Sequence, residues 1–273
     1  MSRSLFTSTL CLALLPAVLS APCRADEIAG KGRAIFNQYR GAVTTVQIAV
    51  KAILTPPSGA ARTNESRHSL SGTVVAPTGL VAVSLSAVDP GQALKNMAAA
   101  QNPQLKMDVT LEDVEILLED GTKASADIVF RDKDLDLAFV RPKTKLAAPM
   151  TAVDLSQSGK ADVLDEVIAL NRLGRAAGWS YSASLERISA VVRQPHVFYI
   201  PDANMTTASL GAPGFTLDGK VLGIFLIRTS SSRVASGALD TPAEGVTAVI
   251  LPAEEILKAI AKIPPPGEAK EKK

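Results

Sequence analysis

The stretch Ala208–Ile224, ASLGAPGFTLDGKVLGI, decides how this chain is read. It places short apolar runs, Gly214–Thr216 and Val221–Ile227, on either side of Leu217-Asp218-Gly219, with Gly211 and Pro213 just ahead of them. Apolar runs of this length, rich in β-branched and aromatic residues and punctuated by Gly, Pro and Asp, are strands joined by tight turns. The same grammar recurs outward in both directions. Upstream, Gly72–Ala76 and Leu80–Val83 flank the Pro77-Thr78-Gly79 turn. Val114–Leu118 and Ala124–Phe130 flank Asp120-Gly121, and Leu137–Val140 adds another strand. Further strands are predicted at Val43–Leu54, Glu166–Leu170, Tyr181–Val192, His196–Ile200 and Gly245–Ile250.

The intervening segments divide into helices and loops. Asp26–Tyr39 is predicted to be a short helix with Ile28, Ile35 and Phe36 on one side. Gln92–Met107 reads as a surface helix, and Thr55–Ser69, with Pro56, Pro57 and Gly59, as a surface loop. Within that loop Asn64-Glu65-Ser66 matches a glycosylation sequon. Pro252–Ile263 is predicted to be a closing helix whose apolar stripe is Ile256, Leu257, Ile260 and Ile263. Many short strands with one terminal helix indicate an all-β barrel pair or sandwich.

The first 25 residues read as an address. Arg3 is followed by the apolar run Leu5–Leu19, and small residues near Cys23-Arg24-Ala25 suit cleavage after Ala25. The expected mature protein is therefore exported, periplasmic or secreted. Pro22 argues against a lipid anchor on Cys23. Cleavage would remove both cysteines, Cys11 and Cys23, and with them any disulfide, thiolate nucleophile or cysteine metal ligand. It would also remove Arg3 and Arg24 from the 29 basic residues and so balance them against the 27 acidic ones. A neutral mature chain gives no electrostatic case for nucleic acid, nor for a membrane surface after signal cleavage. The expected division is 1–25 signal, 26–42 N-terminal helical segment, 43–147 first β-barrel, 148–263 second β-barrel with the C-terminal helix, and 264–273 a disordered Pro/Lys/Glu tail.

Four collinear blocks resemble the HtrA/Deg branch of the trypsin-like serine proteases. Ser71–Val81, SGTVVAPTGLV, is similar to the family's hairpin, and it leads into Ala82–Asp89, where the family has its catalytic histidine segment. Val114–Val140 resembles the stretch that ends in the family's aspartate motif. Ala208–Ile224 resembles its nucleophile turn and following hairpin, and Gly245–Ile263 its closing strand and helix. The resemblance implies a double six-stranded β-barrel with short N- and C-terminal helices. The family usually appends a peptide-binding PDZ domain, which is not expected here.

Carried over position by position, the resemblance puts Ser86 at the histidine, Asp136 at the aspartate and Leu210 at the nucleophilic serine. The oxyanion turn would comprise Ala208, Ser209, Gly211 and Ala212, with alanines at 208 and 212 where the family has glycines. Leucine carries no nucleophile and serine is no base near neutral pH; losing such a partner costs on the order of 10⁶ in turnover. Outside the signal the histidines are His68 and His196, neither placed to compensate, and too far apart in sequence to suggest a metal site. No cofactor is expected. Asp202, beside Pro201, reads as a turn residue near the family's specificity pocket, and Trp179 and Tyr181 as loop or strand-edge aromatics. The resemblance thus implies a catalytically silent domain that binds an extended peptide or protein partner. The alternatives are a hydrolase rewired around Ser84, Ser86 or Ser209, and a homo-oligomeric scaffold assembled through Ile35, Phe36 and Tyr39.

Overall fold

The computed structural model describes residues 24–202, 209–229 and 246–265. The apolar segment Leu5–Leu19, Cys11, Cys23, Ala208, Gly245 and the tail from residue 266 onward lie outside the described residues. Among the described residues, twelve strands close into two antiparallel barrels. The first comprises β1 (Val43–Thr55), β2 (Arg62–Ala76), β3 (Leu80–Ser84), β4 (Lys106–Leu117), β5 (Lys123–Asp132) and β6 (Leu137–Pro142), in the order β1-β2-β3-β6-β5-β4. The second comprises β7 (Glu166–Arg172), β8 (Tyr181–Val192), β9 (Phe198–Pro201), β10 (Pro213–Thr216), β11 (Val221–Thr229) and β12 (Val246–Pro252), in the order β10-β11-β12-β9-β8-β7. This is the all-β double barrel that the strand pattern and the family resemblance implied.

The helices are α1 (Arg24–Tyr39), α2 (Leu85–Val88), α3 (Gly91–Gln101) and α4 (Ala253–Ile260). Although α1 precedes the first barrel in sequence, it docks on the second. Ile35 is buried, and the Tyr39 ring stacks on Phe215 with centroids 4.7 Å apart. Those two side chains are therefore engaged within their own chain. The main core cluster runs through the seam: Leu137 and Phe139 of the first barrel join Ile168, Phe215 and Leu226 of the second. Burying one such side chain contributes roughly 1.5–3 kcal/mol, so the seam is a continuous hydrophobic join between the barrels.

Three local expectations need correction. The stretch expected to be a loop over Thr55–Ser69 is a strand from Arg62 on, because its residues pair one-for-one with β1, from Leu54↔Arg62 to Gln47↔Ser69. Its side chains are polar and exposed, so no apolar alternation marked it; cross-strand pairing decided the conformation. The helix expected over Gln92–Met107 stops at Gln101, and β4 begins at Lys106. Pro103 disfavours helical backbone at Asn102, which is extended (φ −153°, ψ 109°). In α4, Leu257 is off the buried stripe at 39% exposure, while Ala253, Ile256 and Ala259 are buried. The stripe follows three-residue steps, and Leu257 sits one residue, about 100°, away from Ile256.

Candidate functional site

The loops at the seam bring the predicted positions into two half-sites. On the first-barrel side, α2 is a single turn that directly follows β3, with Ser84 as its N-cap. Asp136 lies in the tight β5–β6 connection in left-handed backbone (φ 53°), a conformation aspartate tolerates better than most residues. Its backbone carbonyl accepts from Leu85 N at 2.9 Å, tying the connection to the start of α2. Both carboxylate oxygens are engaged: Oδ2 accepts from Ser84 Oγ at 2.7 Å, and Oδ1 from Ser86 N at 2.8 Å. Ser84 Oγ and Ser86 Oγ lie 3.1 Å apart, so the two hydroxyls form a chain ending on the acid. Burial pushes the Asp136 carboxyl above its ordinary value, opposed by the Ser84 hydroxyl and the backbone N–H groups of Ser86 and Ile227.

The second-barrel side is built differently. Leu210 is 3% exposed, and Ala212 beside it is also buried. Gly211 has φ 94°, and a Cβ on it would stand 2.1 Å from the Ser71 carbonyl oxygen, so both conformation and contact require glycine. The turn is fixed from both barrels: Gly211 N donates to Phe225 O (2.7 Å), while Thr73 Oγ1 of the first barrel donates to Gly211 O (2.7 Å). Asp136 returns the tie, accepting from Ile227 N of β11 at 3.3 Å. The structure thus brings Ser86 and Asp136 into direct contact. Leu210 offers them no side-chain polar atom, and the two halves are tied by side chains of the first barrel on backbone of the second, Thr73 Oγ1 donating to Gly211 O and Asp136 Oδ2 accepting from Ile227 N.

Ser209, the nearest hydroxyl to the nucleophile position in sequence, accepts from Asn171 Nδ2 at 3.2 Å. An amide donor orients a hydroxyl without being able to take its proton. Asn171 Oδ1 in turn accepts from Ser71 Oγ and from Arg172 N, so Asn171 links β2, β7 and the turn. Sequence reading missed Asn171, since one polar residue at the end of a strand carries no distinguishing pattern. Both histidines have partners elsewhere. His68 Nε2 lies 2.9 Å from Ser66 Oγ on β2, and His196 Nδ1 lies 3.9 Å from a carboxylate oxygen of Glu255 on α4.

Asp202 is exposed and its backbone N–H donates to Arg187 O at 2.7 Å, at the end of β9. Trp179 follows the Gly178 turn in left-handed backbone (φ 60°), and its carbonyl accepts from Arg172 Nε at 3.3 Å. Arg172 is buried, donates also to Leu117 O of β4 at 3.2 Å, and stacks over the Tyr181 ring at 5.2 Å. It lines a seam cavity of about 290 Å³ with Thr44 and Tyr181. Tyr181 also borders an apolar groove of about 550 Å³ between α1 and β8, with Ile28, Phe36 and Leu185.

Two six-stranded antiparallel barrels with paired half-sites at their seam define a protein of the trypsin-like class. Residues 70–224, more than half of the chain, match the trypsin-like peptidase domain, and the chain belongs to that family. Among solved structures it is similar to the HtrA-type protease AlgW with a decapeptide (17% identity, TM-score 0.57), covering 84% of this chain and 65% of that one. It is also similar to the same protease with a tripeptide (17% identity, TM-score 0.52), covering 84% of this chain and 62% of that one. The chain thus spans a little under two thirds of the length of these proteases, and at this identity the likeness speaks for the fold. No curated protein matches the sequence.

Proposed function

We propose that this protein is an exported, catalytically silent trypsin-like domain that acts by binding an extended peptide or protein. The observation that carries the reading is the partnering of Asp136. The acid that would orient an imidazole accepts here from Ser84 Oγ and the backbone N–H groups of Ser86 and Ile227. Across the seam Leu210, which the family resemblance sets at the nucleophilic serine, is buried. Acyl transfer in this fold needs a nucleophile, a base within hydrogen-bond reach and donors for the oxyanion. Ser209 accepts from the Asn171 amide, a donor that cannot take its proton. A barrel pair without hydrolysis can still hold an extended peptide through main-chain hydrogen bonds. The two HtrA-type structures it resembles were solved with peptides.

A second reading rests on the hydroxyl chain. Ser86 Oγ, Ser84 Oγ and Asp136 Oδ2 are linked by 3.1 and 2.7 Å contacts, a route by which a proton from Ser86 would reach a carboxylate. One experiment separates the two. The purified protein is treated with a fluorophosphonate probe and with unfolded casein. Absence of both labelling and cleavage is the expected result. Labelling abolished by Ser86→Ala would establish the rewired hydrolase through the hydroxyl chain, and labelling abolished by Ser209→Ala would establish it through the turn.

A further inference from the structure

The part of β2 that sequence reading took for a loop carries an unassigned surface. Over Arg62–Ser69, β2 pairs with β1 along one edge, whereas its pairing with β3 begins only at Thr73. Among the described residues the other edge of Arg62–Ser69 has no strand beside it. Every residue of that run is exposed except Ser66, which is half-buried. An open edge of this length presents a row of backbone donors and acceptors ready for another strand.

Proteins that protect such an edge load it with charges that repel a second copy. Here the charges do the reverse. The run reads Arg62-Thr-Asn-Glu65-Ser-Arg67-His-Ser69. In an antiparallel pairing of two copies about a two-fold axis through Ser66, Glu65 of each copy falls opposite Arg67 of the other. Asn64 falls opposite His68, and Thr63 opposite Ser69. The neighbouring registers lose this match: centring on Glu65 sets that carboxylate against itself and Arg62 against His68, and centring on Arg67 sets guanidinium against guanidinium. Opposite charges directly across a strand pair stabilise it, and like charges oppose it. Glu65 is also 3.8 Å from Lys51 of β1, so the charged row continues across the outer face.

We propose that two copies of this chain associate through the open edges of β2, centred on Ser66, to form a continuous sheet β4-β1-β2-β2-β1-β4 across the dimer. The two-fold axis sets the Ser66 residues directly opposite each other, while the adjacent residues face different partners. The proposal stands independently of whether the former active site binds peptide.

The test is sedimentation velocity on the purified protein from micromolar to hundreds of micromolar, with circular dichroism as a check that each variant folds. The parent chain dimerises. Arg67→Glu sets a second carboxylate against Glu65 and weakens the dimer about ten-fold or more, and the double variant E65R/R67E, which restores opposite charges in mirror order, recovers it. Ser66→Cys forms an intermolecular disulfide under mild oxidation, because directly opposed cross-strand Cα atoms lie within disulfide reach, whereas Thr63→Cys does not. A parent that stays monomeric throughout overturns the proposal. So does a dimer indifferent to Arg67→Glu, or one lost on Phe36→Asp while Ser66→Cys fails to cross-link, which would place the contact on α1.

Discussion

The two halves of the candidate site are built in opposite ways. The first barrel keeps a polar half: Asp136 with two hydroxyls and an N-capped turn, all hydrogen-bonded. The second barrel has an apolar one, with Leu210 and Ala212 buried behind a glycine turn. Both halves retain the contacts that hold the barrels together, Thr73 Oγ1 to Gly211 O and Ile227 N to Asp136. What this difference teaches is that docking of the barrels rests on residues of both halves, polar and apolar alike. A peptidase site must satisfy docking and chemistry together; on the function proposed above, the ties between the barrels at Gly211 and Asp136 serve the docking alone.

The largest test of that comparison is Gly211→Ala. The new methyl meets Ser71 backbone, which cannot step aside as a side chain would, and the backbone is already in a region that favours glycine. A loss of about 3 kcal/mol or more is expected in urea unfolding. A loss below about 1 kcal/mol would mean that the turn is not the rigid tie described above.

Leu210→Ala comes next. If Leu210 is a packing residue, its truncation costs about 2–4 kcal/mol, measured by the same denaturation. An exposed position would show almost none, and that result would return Leu210 to a solvent-facing cleft. Thr73→Val is the matching test from the first barrel. It keeps the shape and deletes the donor to Gly211 O, leaving a buried carbonyl short of a partner, at a cost of about 1–2 kcal/mol.

The smallest effect is the most specific. The Asp136 carboxyl is pushed above its ordinary 3.8 by burial, so the folded protein holds that proton more tightly than the unfolded chain. Between 3.8 and the raised native value, the folded state carries more bound proton. Stability from this group therefore increases as pH falls through the window and is lost as pH rises out of it. Asp136→Asn, which cannot titrate, should flatten that part of the pH–stability profile; the difference between the two profiles is the measurement. A difference of opposite slope would mean that the hydrogen bonds from Ser84, Ser86 and Ile227 outweigh desolvation.

Much of the fold was legible in sequence because it is written in local signals. Turns such as Pro77-Thr78-Gly79 and Asp120-Gly121 need particular residues, and buried strands such as Leu80–Ser84 need unbroken apolar runs. The signals failed where conformation depends on a distant neighbour. Arg62–Ser69 is polar throughout and is a strand because β1 lies alongside it. Leu257 is as apolar as Ile256 yet faces outward, because only the stripe that meets the barrel is buried.

By itself, then, the sequence determined the double barrel and the identities of the residues at positions 86, 136 and 210, since residue type and motif order are properties of the chain alone. Only tertiary structure decided what those residues touch. Ser84 reaches Asp136 from 52 residues away, and Thr73 reaches Gly211 from 138. Contacts of that span arise from how the strands close and the barrels dock, and the hydrogen-bond partner of a buried acid is set there, in the packed seam.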